Sequence, residues 1–418
     1  MATTATTSAT STASTTARRT RRRTGRTIAT RSSGSAPTSS ARASPARTRS
    51  RRSMPRSRAR RPMPSPMPRP RPTRRPTKST CTSTRTEERE MREITLSQAV
   101  NEALAEEMRR DETVFILGED VAEAGTPFKV LSGLVEEFGT DRVLDTPISE
   151  PGFVGMAVGA AMTGARPVVD LMFGDFIYLV MDQLCNQAAK QHYMSGGKLK
   201  VPMVLRTNLG ATRRSAAQHS QSLQALVAHI PGLKVALPSS AYEAKGLMKT
   251  AIRDDNPVVI FEDKLMYQDK APVPEEEYLI PFGEAHVKRE GRDITLIATS
   301  SMVQVAEKAA ALLEKEGIDA EVIDPRTIVP LDEKTLLESV RKTSRAIVID
   351  EGHQSYGVTA EIASRLNEKA FYHLDAPVLR MGAMDVPVPF SPALEDLTVP
   401  TPEGVVENAR KLCAGELI

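Results

Sequence analysis

Residues 166–208 read RPVVDLMFGDFIYLVMDQLCNQAAKQHYMSGGKLKVPMVLRTN. An apolar β-rich run (166–173), an amphipathic, small-residue stretch (175–194) and a second β-rich run (201–208) follow one another, the order of a strand, a crossover helix and a parallel strand. Working outward, TVFILGED (113–120) precedes this unit, and LKVALP (233–238) and PVVIFED (257–263) follow it. The intervening segments 152–164 and 240–253 carry helical patterns. Such alternation predicts βαβ units and a mostly parallel sheet covered on both faces. Near the start of this region Ser97 is placed to cap a helix whose apolar positions Val100, Leu104 and Met108 recur every four residues.

Residues 268–283, with Pro272, Pro274, Pro281 and the acidic run Glu275, Glu276 and Glu277, interrupt the alternation and read as a connection between domains. A smaller set then begins: DITLIATS (293–300), a helix near 302–316, AEVIDPRTIVP (320–330), RAIVIDEG (345–352), a helix near 357–370, and PVLRMG (377–382). The expected organisation is α/β, with two parallel-sheet domains at 91–275 and 282–418 after a disordered N-terminal segment, and no internal repeat. No apolar run approaches the roughly 20 residues of a membrane-spanning helix.

The chain has 418 residues and a net charge of +4, which conceals two opposed regions. Residues 1–90 carry 23 basic residues against three acids, a balance of +20, and the remainder carries −16. The first region contains no Phe, Tyr, Trp, Leu or Val, so it cannot bury enough apolar surface to offset chain entropy and is expected to be disordered. Three readings of it compete. An Arg-rich nucleic-acid-binding arm would neutralise phosphates, but lacks aromatic residues to stack on bases, and the acidic body would repel phosphate. An organelle transit peptide matches the Arg- and Ser-rich, acid-poor composition and would place the chain in a plastid or the mitochondrial matrix; the usual mitochondrial kind needs an apolar helix face that this segment lacks, so the plastid type fits better. The preferred reading takes Met91 as the true first residue and the chain as cytoplasmic. Cys81, Cys185 and Cys413 are widely spaced with no CxxC pair, which excludes a disulfide framework or a zinc ribbon and points to a reducing compartment.

Ligands of parallel α/β sheets sit beyond the carboxyl ends of the strands, so the loops there hold the candidate chemistry. Gly118-Glu119-Asp120 follows the first strand, and RVLDTP leads into Ile148-Ser149-Glu150-Pro151-Gly152 at the head of a glycine-rich helix. A carboxylate at a helix start is stabilised as the anion, and by itself Glu150 reads equally as a capping residue. Gly152, Gly155, Gly159 and Gly164 miss the dinucleotide fingerprint and are expected to serve close helix packing; a Walker A motif, a GxSxG elbow and metal-ligand spacing are all missing. His219, in Ala217-Gln218-His219-Ser220-Gln221, stands after a strand where it can exchange a proton near neutral pH, or serve as a structural histidine.

Together the strings GEDV (118–121), DTPISEPGFVG (145–155), AVGAAMTGARPV (157–168), DQLCNQAAK (182–190), YMSGGK (193–198), AAQHSQS (216–222), HIPGLKV (229–235), AIRDDNPVV (251–259) and DPRTIVPLD (324–332) resemble one family. It is that of the β subunits of thiamine-diphosphate-dependent 2-oxo acid dehydrogenases, which includes the pyruvate, branched-chain 2-oxo acid and acetoin enzymes. The resemblance runs from about residue 92 to near 410. It implies a pyrimidine-binding thiamine-diphosphate fold followed by a domain similar to the transketolase C-terminal domain. Glu150 matches the glutamate that hydrogen-bonds the cofactor pyrimidine and favours its imino tautomer, which generates the carbanion nucleophile. Glu119 matches a second acid near that ring, Phe176 an aromatic packed on it, and His219 the histidine of the substrate and lipoyl channel. Met203, Ala251, Ile252, Asp254 and Asn256 match a structural potassium site built largely from backbone carbonyls.

The family holds the diphosphate and its magnesium ion through a GDG segment followed by NN, which this sequence lacks: Gly174-Asp175 is followed by Phe176. The resemblance therefore implies an α subunit as partner, an α2β2 heterotetramer with sites at the α/β interfaces, and docking to a lipoyl acyltransferase through the C-terminal domain. A self-sufficient transketolase-like synthase would need a phosphate-binding half for which the chain has no room. The substrate expected is a small 2-oxo acid such as pyruvate, or acetoin. Leu179 and LMFGDF (171–176) lean towards the acetoin and branched-chain members, YMSGG and AIRDDNP are shared with the pyruvate enzymes.

Overall fold

The strand runs owe their burial to helices on both sides: Val204–Leu209 and Val258–Asp263 are buried at every position, as the centre of a parallel sheet demands. In the computed structural model, which describes residues 91–416, these two strands pair with each other in a seven-stranded sheet. Its order is Thr327–Val329, Lys234–Ala236, Val258–Asp263, Val204–Leu209, Arg166–Leu171, Val114–Gly118 and Val143–Asp145. All neighbours are parallel except the Thr327–Val329 edge, which runs antiparallel to Lys234–Ala236. One face is covered by the helices Leu96–Arg110 and Ala241–Arg253, the other by Glu150–Met162 and the segments around Leu184 and Val227. Each fully buried Leu, Ile or Val there contributes about 1.5–3 kcal/mol. The readings of residues 1–90 lie outside the described residues.

The second sheet has five strands in the order Leu379–Ala383, Ala346–His353, Ile294–Ala298, Ala320–Asp324 and His286–Arg289, the last antiparallel. The α/β class and the two sheets agree with the sequence reading. Four local expectations are corrected. Thr95, not Ser97, caps the first helix, in a capping box with Gln98; Ser97 lies inside the first turn, where its buried hydroxyl has no partner. The stretch 175–194 is not one α-helix but a 3₁₀ turn (Gly174–Val180), a π-helical segment (Asp182–Ala188) and a short α-helix (Ala189–Met194). The proline-rich connection contains a strand, Lys270–Pro274, paired antiparallel with Met91–Thr95. Finally, AEVIDPRTIVP divides: Ala320–Asp324 belongs to the five-stranded sheet, while Thr327–Val329 crosses over to extend the seven-stranded one.

The two sheets meet in a polar junction. Glu243, buried on the helix Ala241–Arg253, faces His286 (3.2 Å), Lys288 (2.9 Å) and Arg326 (3.3 Å). Burial alone would raise its pKa, but His286, Lys288 and Ser240 hold it well below the usual carboxylate range.

Candidate active site

Five adjacent strands end side by side and each delivers one element of the site. Following the sheet from Val258–Asp263 to Val143–Asp145, the strand ends lead to Lys264, to the loop bearing His219, to Phe173 and Phe176, to Glu119, and to Glu150. The register places Gly118 beside both Asp145 and Asp170, so the two glutamates emerge from neighbouring strands. Close backbone approach fixes the turns: a Cβ on Gly118 would stand 2.5 Å from the Asp170 carbonyl oxygen, and one on Gly174 only 2.2 Å from that of Asn208.

Glu150 is the first residue of the helix Glu150–Met162 and is 8% exposed. Ser149 provides no side-chain cap, so Glu150, the acid of the first turn, can favour the helix start through its charge but makes no capping hydrogen bond there. Glu119 is 7% exposed and its Oε1 has no partner among the described residues. Burial, and then the charge of nearby Glu150, push the Glu119 pKa above its ordinary value. Two buried carboxyls thus share one end of the sheet, one of them with an unanswered oxygen. Such an oxygen suits a polar ring edge carrying N–H donors. The site therefore fits the pyrimidine half of thiamine diphosphate, with Glu150 and Glu119 as the groups that would hold its polar edge and half-buried Phe176 as the apolar wall.

His219 sits in a cage of rings. Its imidazole meets Phe173 edge to face at 4.6 Å and Phe176 at 5.6 Å, and Phe173 in turn touches Phe128 at 5.9 Å. Its loop is anchored to the same wall by Gln221, whose side-chain N–H donates to Asp175 at 2.7 Å.

The five residues matched to a potassium site do come together, but at the opposite, amino ends of the strands. Asp254 N–H donates to the Ala251 carbonyl (3.2 Å) and Val258 N–H to that of Met203 (3.0 Å). Asn256 donates to the Asp254 carboxylate through both its backbone and side-chain N–H. The carbonyls of Ile252 and Asp254 already accept Nη1 of Arg166 at 2.9 and 3.0 Å. A guanidinium thus supplies part of the positive charge that the cluster calls for. The expected packing role of the helix glycines is also corrected: Gly159 and Gly164 have no neighbour within 4 Å of a would-be Cβ, and Gly155 meets only the Gln183 side chain.

Sequence reasoning missed Lys264, Asp263 and Glu351. Asp263 and Lys264 close the apolar run PVVIFED at a strand's carboxyl end, the position where the rule applied to Glu119 would have found them. Glu351 comes from the second sheet, and its carboxylate accepts the Ala211 N–H at 2.5 Å. Burial, followed by the charge of Asp263, raises the Glu351 pKa well above its ordinary value.

The comparisons with known proteins agree with this geometry. Residues 92–270 match the transketolase pyrimidine binding domain and 283–405 the transketolase C-terminal domain. The chain is 51% identical over 333 residues to the acetoin:2,6-dichlorophenolindophenol oxidoreductase subunit beta of Bacillus subtilis, a match spanning 77% of this chain and 97% of that protein. It is 49% identical over 321 residues to the pyruvate dehydrogenase E1 component subunit beta of Rickettsia felis, spanning 77% and 98% respectively. This chain belongs to the E1 beta-subunit family of pyruvate and acetoin dehydrogenases. A mitochondrial family member of rice, the pyruvate dehydrogenase E1 component subunit beta-1, is 47% identical over 77% of this chain and 87% of its own length. The fold is shared with a solved chain titled "Split gene transketolase, inactive beta4 tetramer", at a TM-score of 0.65 and 24% identity over 77% of this chain and 98% of that one.

Proposed function

We propose that this family member is the β subunit of a thiamine-diphosphate-dependent 2-oxo acid dehydrogenase. In this reading it works with an α subunit in an α2β2 assembly and passes an acyl group to the lipoyl group of an acyltransferase. The observation that carries the reading is the pair of buried carboxyls, Glu119 and Glu150, at adjacent strand ends, with an unpartnered oxygen on Glu119. When bound, thiamine diphosphate supplies the nucleophilic carbon that attacks a carbonyl substrate. Glu150 would accept the pyrimidine ring N–H through its carboxylate, and Glu119 would hold the same polar edge. Phe176 excludes water from one side, and the His219 imidazole holds or releases a proton as the acyl group is passed on.

The sequence offers no GDG and NN pair for the diphosphate and magnesium, which supports their being held by the α subunit. Exposed Ile148 and Met156, near Glu150 in the chain, and exposed Tyr178 and Leu179, on the 3₁₀ turn that packs against the helix Glu150–Met162, give such a partner apolar side chains to cover. At the carbonyl cluster of Met203, Ala251, Ile252, Asp254 and Asn256, potassium would add to a charge that Arg166 already contributes. Among the described residues no helix is long and apolar enough to cross a membrane. The substrate of this reading is a small 2-oxo acid such as pyruvate, in line with the pyruvate dehydrogenase subunit of Rickettsia felis matched at 49% identity. Acetoin is the second reading, because the Bacillus acetoin oxidoreductase subunit matches at 51% identity.

The test is Glu150→Gln in the co-expressed α/β complex, assayed with pyruvate and with acetoin. Activity is expected to fall by at least about 100-fold with assembly unchanged. A variant close to the unsubstituted complex would overturn the assignment.

A further inference from the structure

Lys264 follows directly on the strand Val258–Asp263 and is among the largest fully buried side chains of the protein. Among the described residues no carboxylate lies within ion-pair distance of its Nζ, an expensive arrangement for an ammonium group. Burial pushes its pKa below the ordinary lysine value, against the more distant charges of Asp175, Asp263, Glu351 and Glu395. What Nζ touches is the site: it donates a hydrogen bond to the backbone carbonyl of His219 and lies 5.9 Å from the centre of the Phe173 ring. The Lys264 carbonyl serves the same loop from its other end, accepting Nε and Nη2 of Arg213 at 3.0 and 2.6 Å.

The loop needs such a hold. Between the strand Val204–Leu209 and the helix Gln224–Ala228 it has no regular structure, and Thr212, Arg214 and Ala216 lie at φ of 67°, 59° and 59°. Residues without glycine's freedom are strained there and persist only where the surroundings dictate them. The second sheet's domain contributes through Glu351 at Ala211 and through Glu395 and Asp396 at Arg214 (both 2.7 Å), but these contacts reach only the loop's first half. Among the described residues Lys264 alone hydrogen-bonds to both Arg213 and His219.

We propose that Lys264 is a positioning residue for acyl transfer: its ammonium and carbonyl staple the loop 211–222 so that the His219 imidazole is held against Phe173 and Phe176. The proposal rests on the reading of His219 given above. Because the staple acts on the loop and not on Glu119 or Glu150, it affects transfer to the lipoyl group more than the earlier cofactor-dependent steps.

The experiment uses the assembled α/β complex carrying Lys264→Met, Lys264→Arg or His219→Gln. Two rates are measured for each: acyl transfer to a lipoyl domain, and substrate oxidation by 2,6-dichlorophenolindophenol, which bypasses the lipoyl group. Lys264→Met is expected to lower kcat for transfer by about 10–100-fold, with KM for the lipoyl domain within about 2-fold and the dye reaction lowered by a clearly smaller factor than transfer. Lys264→Arg, which keeps a cationic donor, is expected to recover transfer to within about 3-fold. Wild-type transfer by Lys264→Met beside an impaired His219→Gln would overturn the Lys264 proposal alone. Wild-type transfer by His219→Gln would instead overturn the reading of His219. Equal loss of both reactions in Lys264→Met, or failure of both Lys264 variants to assemble, would assign the lysine to the scaffold and likewise overturn the proposal.

Discussion

Gly174 and Gly159 look alike in the sequence and differ completely in what they do. A methyl group on Gly174 would meet the Asn208 carbonyl oxygen at 2.2 Å, and since both partners are backbone, the turn carrying Asp175 and Phe176 must shift. Gly174→Ala is therefore expected to cost about 1–3 kcal/mol and to displace Phe176 from His219. Gly159 sits in a helix interior with open space around it, so Gly159→Ala is expected to stabilise the isolated chain by about 0.5–1 kcal/mol. Denaturant unfolding of the two variants checks both signs, and similar destabilisation by both would contradict the packing described. Glu150, Glu119 and His219 stand in loops after strands, where the sequence directs the search, whereas Phe176 is reached only through the family resemblance. Lys264 stands where the same rule points, at a strand's carboxyl end, but its role, like that of Glu351, comes from contacts of the loop 211–222 with two other segments, which no local pattern records.

Among the elements, long apolar strands were the most legible, since burial on both faces leaves a run such as PVVIFED unmistakable. The stretch 175–194 misled because its helical periodicity is satisfied by three kinds of helix in succession, whose differences lie in hydrogen-bond geometry rather than in apolar spacing. AEVIDPRTIVP misled because Pro325 ends one strand and the chain crosses to another sheet. That crossing creates a buried acid at the junction. Asp324 accepts the Ser239 hydroxyl at 2.5 Å and the Arg326 N–H at 2.7 Å, and burial together with the charge of Glu243 pushes its pKa up to about 6. Its folded-state pKa exceeds the unfolded value, so the stability it contributes is complete below about pH 4 and is lost as pH rises through 6. Glu243 acts in the opposite sense and loses its contribution as pH falls. Asp324→Asn removes the first term, and the variant is expected to keep about 1–3 kcal/mol that the parent chain loses between pH 4 and 7. Melting curves across that range check it, and an unchanged slope would contradict the assignment.

At the scale of the molecule, the described residues bring the groups suited to the pyrimidine half of the cofactor to one sheet edge. The second sheet's domain braces the loop of His219 through Glu351, Glu395 and Asp396. The bracing was invisible in the sequence because residues some 140 to 180 positions apart supply it. Division of labour with an α subunit is the central claim. The most direct test is calorimetric titration of thiamine diphosphate with magnesium into the isolated chain and into the chain co-expressed with its α-type partner. The account predicts binding by the co-expressed complex and none by the isolated chain. Saturable binding of comparable affinity to the isolated chain would contradict it.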